Sequence, residues 1–390
     1  MPDHRFAYLA QGTLRRLGGT DELIESEFGK SLRDRAIQIQ NRHAWKSQGR
    51  GAQFMTGMLW PAVAGDPAAF RIAITSVTAG RTPGELWYSL ETPEISGVFA
   101  VGTDGREQRI FHTSDFRIRH VSLSPDGARL AVSTFHNNFT AHLAVLDVDG
   151  TDFQEATDGD SVDLAPRWVP AAGRKLVFQS AGLGRDTGGR LAGLGPFTVQ
   201  ELDLNSGEMR CLAEDADFDL LGPQKTADGS LYYIRRPHSS RLAKLNPLHA
   251  LKDTLLLPFR IAFAIFQFFN FFSVRYTGKP LSTSKGGLQK QPDLKQMMVW
   301  GNVLDAEAAA REHGMGDAEA PSLVPSSWRL IRHSPDGNTD VLAKNVLAFD
   351  LAADGAVLYS NGSGIYRIAP GGGRPERLLA AKMIEQVAAL

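Results

Sequence analysis

The sequence predicts an all-β fold built from repeated four-stranded units, and two observations indicate it: an internal repeat and complementary termini. Turns that end in glycine recur before strands that alternate polar and apolar residues: "SLSPDGARLAVST" from Ser122, "VPAAGRKLVFQS" from Val169, "KTADGSLYYIRR" from Lys225 and "DLAADGAVLYSN" from Asp350. An Asp-Gly pair provides the positive φ that a tight hairpin turn needs. A second alternating strand and a short polar strand follow, as in "LAVLDVDG" and "FQEAT".

Each unit is roughly 40–50 residues long, which is typical of a propeller blade. Five units begin near Ala52, Ile118, Asp163, Phe218 and Val346. The remaining unit is divided, because the N-terminus provides "RFAYLA", "GTLRRLGG" and "DELIESEF" and the C-terminus provides "KMIEQVAAL". Joining the two termini completes a ring, so the sequence predicts a six-bladed β-propeller whose terminal strands share one blade. A β-sandwich or two unrelated β domains are the alternatives.

The repeated pattern is similar to that of a known family. A "SPDG-x-x-(apolar)-A" strand is followed by an apolar strand that ends in "LD-x-(D/N)", most clearly between Ile118 and Leu212. This pattern resembles the TolB-like propeller family over about two thirds of the chain. The resemblance implies a fold and is nearly silent on function. TolB itself also has a secretion signal and an N-terminal α/β domain, which we do not expect here, so its envelope role is not carried over.

Composition limits the possible functions of the 390-residue chain. Hydrophobic residues make up 43% of it, and the net charge of −1 argues against a nucleic-acid partner. Cys211 is the single cysteine, so no disulfide forms within the chain. The N-terminal "MPDHRFAYLAQGTLRRLGG" has no basic region followed by an apolar run, so we expect a cytoplasmic protein. No cofactor motif is present, and we predict neither a cofactor nor a metal.

One interruption of the repeat is a basic, partly helical insertion at residues 28–51. Ser31 is a candidate helix cap, with Asp34 three residues later. Guanidinium groups bind phosphates and carboxylates in a bidentate manner, so the segment is a candidate anion or partner site. The alternative is a solvated basic helix. The candidate site residues are Arg33, Arg35, Arg42, His43, Lys46 and Arg50.

The other interruption is a helical insertion at residues 237–327, which leaves 1–236 and 328–390 for the propeller. It falls between the second and third strands of the fifth blade. Asn246 and Pro247 form a favourable helix start, and the apolar pattern predicts a Phe-rich helix over residues 247–276. Pro258 is expected to kink it. Apolar residues cover about two thirds of the helix circumference, so something must cover that surface.

The helix and its flanks define a candidate attachment site. Between Arg235 and Lys295 there are eleven Lys and Arg residues and two Asp, a net charge of +9. The candidate membrane- or partner-binding residues are Leu256, Phe259, Ile261, Phe263, Ile265, Phe266, Phe268, Phe269, Phe271 and Phe272. The candidate basic flank is Arg241, Lys244, Lys252, Arg275, Lys279, Lys285 and Lys290. Cationic segments are attracted to anionic cytoplasmic leaflets.

These observations predict a non-catalytic interaction scaffold, peripheral on the inner face of a membrane, with other protein subunits and an anionic membrane surface as partners. Alternatively, a partner protein in a larger complex buries the helix. A third possibility is a propeller hydrolase or lyase with a site at the channel mouth. No nucleophile elbow, metal motif or phosphate loop supports an enzyme. His120 is expected on an innermost strand, and His136 and His142 on one rim loop.

Overall fold

The computed structural model describes residues 5–44, 72–186, 188–189, 191–238, 296–299, 302–305 and 319–390. Within these ranges the chain is nearly all β-structure, with one α-helix. The strands group into antiparallel sets of four, which we number in chain order as the first to the sixth sheet.

The first, second and sixth sheets are separate four-stranded sheets. The first sheet combines the two ends of the chain in the order β27-β1-β2-β3, and the other two follow chain order. Their strands are β1 (Phe6–Ala10), β2 (Thr13–Gly18), β3 (Thr20–Ile24) and β27 (Ile384–Ala389); β4 (Ala73–Ala79), β5 (Leu86–Glu91), β6 (Ser96–Val101) and β7 (Glu107–Thr113); and β23 (Ala348–Leu351), β24 (Val357–Ser360), β25 (Gly364–Ile368) and β26 (Glu376–Ala380).

The third and fourth sheets are joined by one parallel pair, Ala141 with Val162. The third contains β8 (Arg117–Leu123), β9 (Arg129–Phe135), β10 (Ala141–Asp147) and β11 (Gln154–Glu155). The fourth contains β12 (Ser161–Trp168), β13 (Lys175–Arg185), β15 (Thr198–Asp203) and β16 (Met209–Ala213), and β14 (Leu191–Leu194) pairs with the last part of β13.

The fifth sheet contains the long excursion of the chain. Its strands are β17 (Phe218–Lys225), β18 (Leu231–Pro237), β21 (Arg329–His333) and β22 (Thr339–Lys344), in that order. The chain therefore leaves this sheet after its second strand and returns at its third. A separate hairpin, β19 (Gln296–Val299) with β20 (Asn302–Asp305), lies within the excursion.

The predicted glycine turns are confirmed. Gly127 and Gly229 have φ values of +68° and +89°, in the left-handed region that glycine adopts at no steric cost. The amide of each closes its turn, donating to the carbonyl of Ser124 or Thr226.

One predicted unit was assigned wrongly. The sequence interpretation began the second unit near Ala52, but its first strand is β4, at Ala73–Ala79. The segment near Ala52 lies outside the described residues. Strand β5, Leu86–Glu91, was overlooked because its first five residues are all buried. A strand that is covered on both faces reads as a continuous apolar run rather than as an alternation.

Apolar side chains fill the space between consecutive sheets. Trp87 of the second sheet packs with Ile118 and Leu130 of the third. Phe6 of the first sheet packs with Leu358 and Ile365 of the sixth. Full burial of such side chains stabilises the fold by about 1.5–3 kcal/mol each.

The first strands of the six sheets are β4, β8, β12, β17, β23 and β27. All six sheets are aligned at the end where these strands begin, and we call it the starting end. There, the beginning of each first strand bonds to the preceding sheet. The contacts are Ile74 N to Gly12 O (2.9 Å), Ile118 N to Ser96 Oγ (2.9 Å), the Ala141–Val162 pair, Leu220 N to Phe197 O (2.9 Å), Val346 N to Trp328 O (3.2 Å) and Ile384 N to Gly362 O (2.8 Å).

A second row of contacts runs between the same neighbours, and in each of them a polar side chain binds the backbone of a first strand in the neighbouring sheet. These are Gln386 with Val77 N and O (3.1 and 3.0 Å), Ser76 Oγ with Val121 N (3.0 Å), Trp168 Nε1 with Ser122 O (3.2 Å), Gln179 Oε1 with Gly222 N (2.7 Å), Gln224 with Phe349 O and Leu351 N (both 3.3 Å) and Asp350 Oδ2 with Ala389 N (2.9 Å).

The helix α1 (Glu27–Ala44) follows the first sheet. It begins before the candidate cap Ser31, whose hydroxyl instead donates to the Phe28 carbonyl within the helix at 2.8 Å. Glu27 in the first turn is favourably placed in the field of the helix and forms an ion pair with Lys30 at 3.0 Å. No helix among the described residues has both the length and the apolar character needed to cross a bilayer.

The chain divides into two compact units. The first comprises Met1–Ser26, Ala73–Ser240 and Asp293–Leu390 and contains all six sheets. The second comprises Glu27–Ile72 and Arg241–Pro292, and its described part is α1.

Candidate functional site

The long excursions from the sheets all leave from the starting end. Tight turns connect the strands at the opposite end, for example 124–128 and 352–356. At the starting end the chain makes two long excursions, 25–72 and 238–328, and it extends a hairpin over 181–197. The two ends of the sheets therefore differ in where the chain leaves and rejoins them.

Exposed apolar side chains also lie at the starting end, on the third and fourth sheets. Phe139 in the β9–β10 loop and Leu191 and Leu194 of β14 expose 67%, 45% and 38% of their surface. The guanidinium of Arg185 binds the carbonyl of Asn138 at 3.2 Å, which ties the loop of Phe139 to the hairpin of β14.

A buried charged cluster lies where the chain leaves and rejoins the fifth sheet. Asp219 and Arg236 are each only 3% exposed, and Arg236 Nε donates to Asp219 Oδ2 at 3.0 Å. Asp219 Oδ1 lies 2.7 Å from His238 Nδ1 and accepts from the Phe197 amide at 3.1 Å. The Arg236 guanidinium lies over Trp328, 4.9 Å from the ring centre. Burial lowers the pKa of Arg236, and Asp219 opposes this shift.

The cluster fixes both ends of the 238–328 excursion. Arg236 and His238 belong to the departing chain, and Trp328 immediately precedes the returning strand β21. Protein groups surround the carboxylate of Asp219. The same holds for Asp163, which accepts from Ser180 at 2.6 Å and from Ser161 at 3.1 Å.

A second polar cluster lies on the first strands. Arg167 of β12 forms an ion pair with Asp350 of β23 at 3.2 Å. Strand β17 lies between β12 and β23 and contacts both of them. Arg119 pairs with Glu91 at 2.9 Å. His120 lies in β8 at a β-bulge with a φ of +57°. Burial, together with Arg119 and Arg167, lowers the pKa of His120 to about 3.

His120 is therefore neutral at physiological pH and too weak a base for proton transfer there. Because its folded-state pKa lies below the unfolded value of about 6.5, the unfolded chain binds more protons between these two values. The free energy of unfolding of the unmodified chain therefore decreases as the pH falls from 6.5 towards 3. We expect this decrease to be smaller in the His120→Asn variant. The change should reach at most about 1.4 kcal/mol per pH unit, measured by urea unfolding across that range. Asn tolerates the left-handed backbone, and an unaltered pH profile would contradict the assignment.

His136 and His142 lie close together, but His142 belongs to strand β10 rather than to the loop predicted for both. The ring centres of His136 and His142 are 5.2 Å apart, and His136 Nε2 lies 3.0 Å from Glu155 Oε1. Thr134 Oγ1 binds His136 Nε2 at 3.2 Å and donates to the His142 carbonyl at 3.2 Å. In the described part of the chain, however, no three His, Cys, Asp or Glu side chains are arranged to hold a metal ion.

The predicted attachment residues lie outside the described residues. This applies to the Phe-rich set (Leu256, Phe259, Ile261, Phe263, Ile265, Phe266, Phe268, Phe269, Phe271 and Phe272), to the basic flank (Arg241, Lys244, Lys252, Arg275, Lys279, Lys285 and Lys290), and to Lys46 and Arg50. Arg33 and Arg35 are exposed on α1. Arg42 and His43 belong to the span of the same helix, but their side chains lie outside the described part.

Two features of the starting end were missed from the sequence. Phe139 lies in the segment "FHNNFTAH", where no sequence pattern distinguishes it from a buried aromatic residue. Strand β14 lies in the glycine-rich segment "GLGRDTGGRLAGLGP". The signal for a hairpin extension was present in the leucines on both sides of the central glycines, but glycine lowers strand propensity and obscured it.

No family model matches the chain, and no curated protein has a similar sequence. Among solved structures, TolB from Acinetobacter baumannii matches with a TM-score of 0.50 at 12% identity, over 99% of this chain. The chain has a TolB-like β-propeller fold. It spans 66% of that TolB chain, just under two thirds. A chain of a nidogen/laminin complex matches at 10% identity (TM-score 0.49, 99% of this chain and 98% of that one), and a Mycobacterium tuberculosis puromycin-hydrolyzing peptidase at 14% (TM-score 0.44, 95% and 42%).

Proposed function

We propose that the first unit is a closed six-bladed propeller that acts as a non-catalytic interaction scaffold. Ring closure is supported by the two rows of contacts between consecutive sheets, which also connect the sixth sheet to the first. Asp350 Oδ2 accepts from Ala389 N at 2.9 Å, and Ile384 N donates to Gly362 O at 2.8 Å. In this arrangement the first strands line a central channel, and the fifth blade carries the insertion.

The scaffold proposal rests on the asymmetry between the two ends of the propeller. The chain leaves and rejoins the sheets for 25–72 and 238–328 at the starting end, where the exposed apolar side chains of Phe139, Leu191 and Leu194 also lie. Exposed apolar surface is typical of a face that docks a partner. The His120 imidazole, with a pKa of about 3, is poorly suited to general base catalysis near neutral pH.

We further propose that the 237–327 insertion attaches this face to an anionic membrane surface, on the cytoplasmic side. The sequence combines seven phenylalanines between Phe259 and Phe272 with a net charge of +9 between Arg235 and Lys295. Burial of each Phe at an interface is favourable by about 2 kcal/mol before ordering costs, and each cation contributes about 1 kcal/mol near an anionic surface. A partner protein that buries the helix is the alternative.

Vesicle co-sedimentation tests the attachment. We expect the full chain to bind phosphatidylserine-containing vesicles, to bind more weakly as salt increases, and to bind neutral vesicles poorly. The Phe263→Glu/Phe266→Glu/Phe269→Glu variant should lose binding by at least tenfold, because charged side chains resist burial in lipid.

A matched control carries Leu23→Glu, Met209→Glu and Val341→Glu. These exposed apolar side chains lie on the fourth strands of three sheets, and the change in charge is the same. We expect this control to retain most binding. Equal loss in both variants would indicate a general charge effect. If the unmodified chain binds no vesicles, membrane attachment is refuted and burial of the helix by a partner protein is favoured.

A further inference from the structure

Strand β14 presents an unusual edge at the starting end. On one side it pairs with the end of β13, with Leu194 opposite Leu183 and Gly193 opposite Gly184. On the other side, no strand among the described residues pairs with it. The amide of Gly195 donates to Gly182 O at 3.0 Å, so the alternation of an antiparallel ladder places the N–H and C=O of Leu194 on the outer edge.

The composition of this edge differs from that of the other outer strands. Each fourth strand carries at least one charged residue, a common protection against edge-to-edge pairing. These include Asp21 in β3, Glu107 in β7, Glu155 in β11, Arg210 in β16, Asp340 in β22 and Glu376 in β26. Strand β14 reads Leu-Ala-Gly-Leu and contains neither a charge nor a proline. Its edge therefore lacks the protection that the other edges have.

The hairpin of β14 is braced by Arg185. Its Nε donates to Asp160 Oδ1 at 2.8 Å, its Nη1 to the Gly189 carbonyl at 3.3 Å and its Nη2 to the Asn138 carbonyl at 3.2 Å. A strand held in this way has lost much of its conformational freedom before a partner arrives, which favours binding. The bond to Asn138 also ties the loop that carries Phe139 to the hairpin.

We propose that the outer edge of β14 binds an extended, cationic segment of a partner protein by strand addition. Backbone groups of the incoming strand would pair with Leu194, and its apolar side chains would pack on Leu191, Leu194 and Phe139. This edge is a second docking element, distinct from the 237–327 insertion, and it does not depend on membrane attachment.

Charge selects the class of partner. The carboxylates of Asp158 and Asp160 are exposed in the loop before β12, and that of Asp186 is exposed in the turn between β13 and β14. Arg185 forms an ion pair with Asp160 at 2.8 Å, which holds this loop beside the hairpin and neutralises Asp160. With Arg190 counted from the sequence, acidic groups still exceed basic ones by one. Two copies of this chain would bring the same carboxylates together, so a cationic partner fits better than a second copy.

Fluorescence anisotropy with defined peptides and the full chain tests this proposal. The probe is a labelled peptide, KKVTVTVKK, and the comparison peptides are EEVTVTVEE and KKVTVTVKK with alternate amides N-methylated. We expect saturable binding of the first peptide and at least tenfold weaker binding of the other two. N-methylation removes the backbone donors without altering charge.

Two substitutions at one position separate backbone pairing from side-chain contact. Leu194→Pro removes the outward donor, whereas Leu194→Ala keeps it and removes only the side chain. We expect at least a tenfold loss of peptide affinity for the proline variant and a loss of a few-fold for the alanine variant. The N-methylated peptide provides the same test on the unmodified chain if the proline variant is misfolded.

Other outcomes overturn the proposal. The proposal is wrong if no saturable binding is found, or if the acidic peptide binds equally well. It is also wrong if neither N-methylation of the peptide nor Leu194→Pro changes the affinity. Concentration-dependent dimerisation of the full chain that Leu194→Pro abolishes, measured by analytical ultracentrifugation, would identify a second copy as the occupant instead. Vesicle binding does not involve β14, so failure of either proposal leaves the other distinguishable.

Discussion

Removal of residues 384–390 is expected to abolish cooperative folding of the chain. These residues form β27, which pairs with β1 from Ala10 to Phe6 and contacts β4 and β23. The side chains of Ile384 and Val387 are fully buried. Loss of each costs about 2–5 kcal/mol, and the lost strand pairing adds to this, against a total stability of about 5–15 kcal/mol for a typical protein.

Circular dichroism melts and size-exclusion chromatography would measure the effect. A circular permutant is the matched control, because Leu390 N lies 3.2 Å from Arg5 O. Joining the present ends with a short linker and opening the chain in the exposed turn at Gly371–Gly373 retains β27, so this variant should melt cooperatively. A truncated chain with an unaltered melting temperature would show that β27 is dispensable and would contradict ring closure.

Removal of a single side-chain contact between two sheets should have a smaller effect on stability. Gln386 binds both Val77 N and Val77 O, at 3.1 and 3.0 Å. Each such bond contributes about 0.5–1.5 kcal/mol net, so Gln386→Ala should lower the free energy of unfolding by about 1–3 kcal/mol in urea titrations. Gln154→Ala is the surface control, because Gln154 is exposed in β11. Equal effects in both variants would show that the contact between Gln386 and Val77 contributes no more to stability than an exposed side chain does.

The repeat allowed much of the all-β fold to be predicted from the sequence. A tight turn requires a residue that tolerates positive φ, so Gly127 and Gly229 mark their turns directly. The pairing of the terminal strand with the first one was also expected, because three strands near the N-terminus lacked a partner. Strand β5 was missed for a physical reason: a strand that is buried on both faces loses the alternation by which strands are recognised.

The candidate sites were less predictable, because they depend on contacts between residues that are distant in sequence. The Arg167–Asp350 pair joins strands 183 positions apart, and no local pattern marks either residue. Arg236 and Asp219 each resemble ordinary surface charges in the sequence. Only the packing of Trp328 and the sheet around them makes the pair buried. By contrast, the proximity of His136 and His142 followed from their positions around one hairpin.

Removal of the Asp219 carboxylate is expected to destabilise the protein strongly. In Asp219→Ala, the buried Arg236 guanidinium, His238 Nδ1 and the Phe197 amide all lose the acceptor that they share. Breaking a buried ion pair from one side costs about 3–5 kcal/mol, since the remaining charge lacks compensation. Urea unfolding should show this loss in the midpoint with little change in slope.

The pair Arg235–Asp215 provides a matched control, because Arg235 is next to Arg236 on β18. Its side chains are 32% and 29% exposed and lie 2.9 Å apart, so Asp215→Ala should cost only about 0–1 kcal/mol. Replacing both buried partners, as in Asp219→Leu/Arg236→Met, should recover much of the lost stability, because no charge then remains buried. If Asp219→Ala and Asp215→Ala have equal effects, burial does not determine the strength of the Asp219–Arg236 pair. If only Asp219→Ala lowers the free energy of unfolding, one buried carboxylate holds the two ends of the 238–328 excursion. Its loss should then also increase hydrogen exchange at the amides of His238 and Trp328.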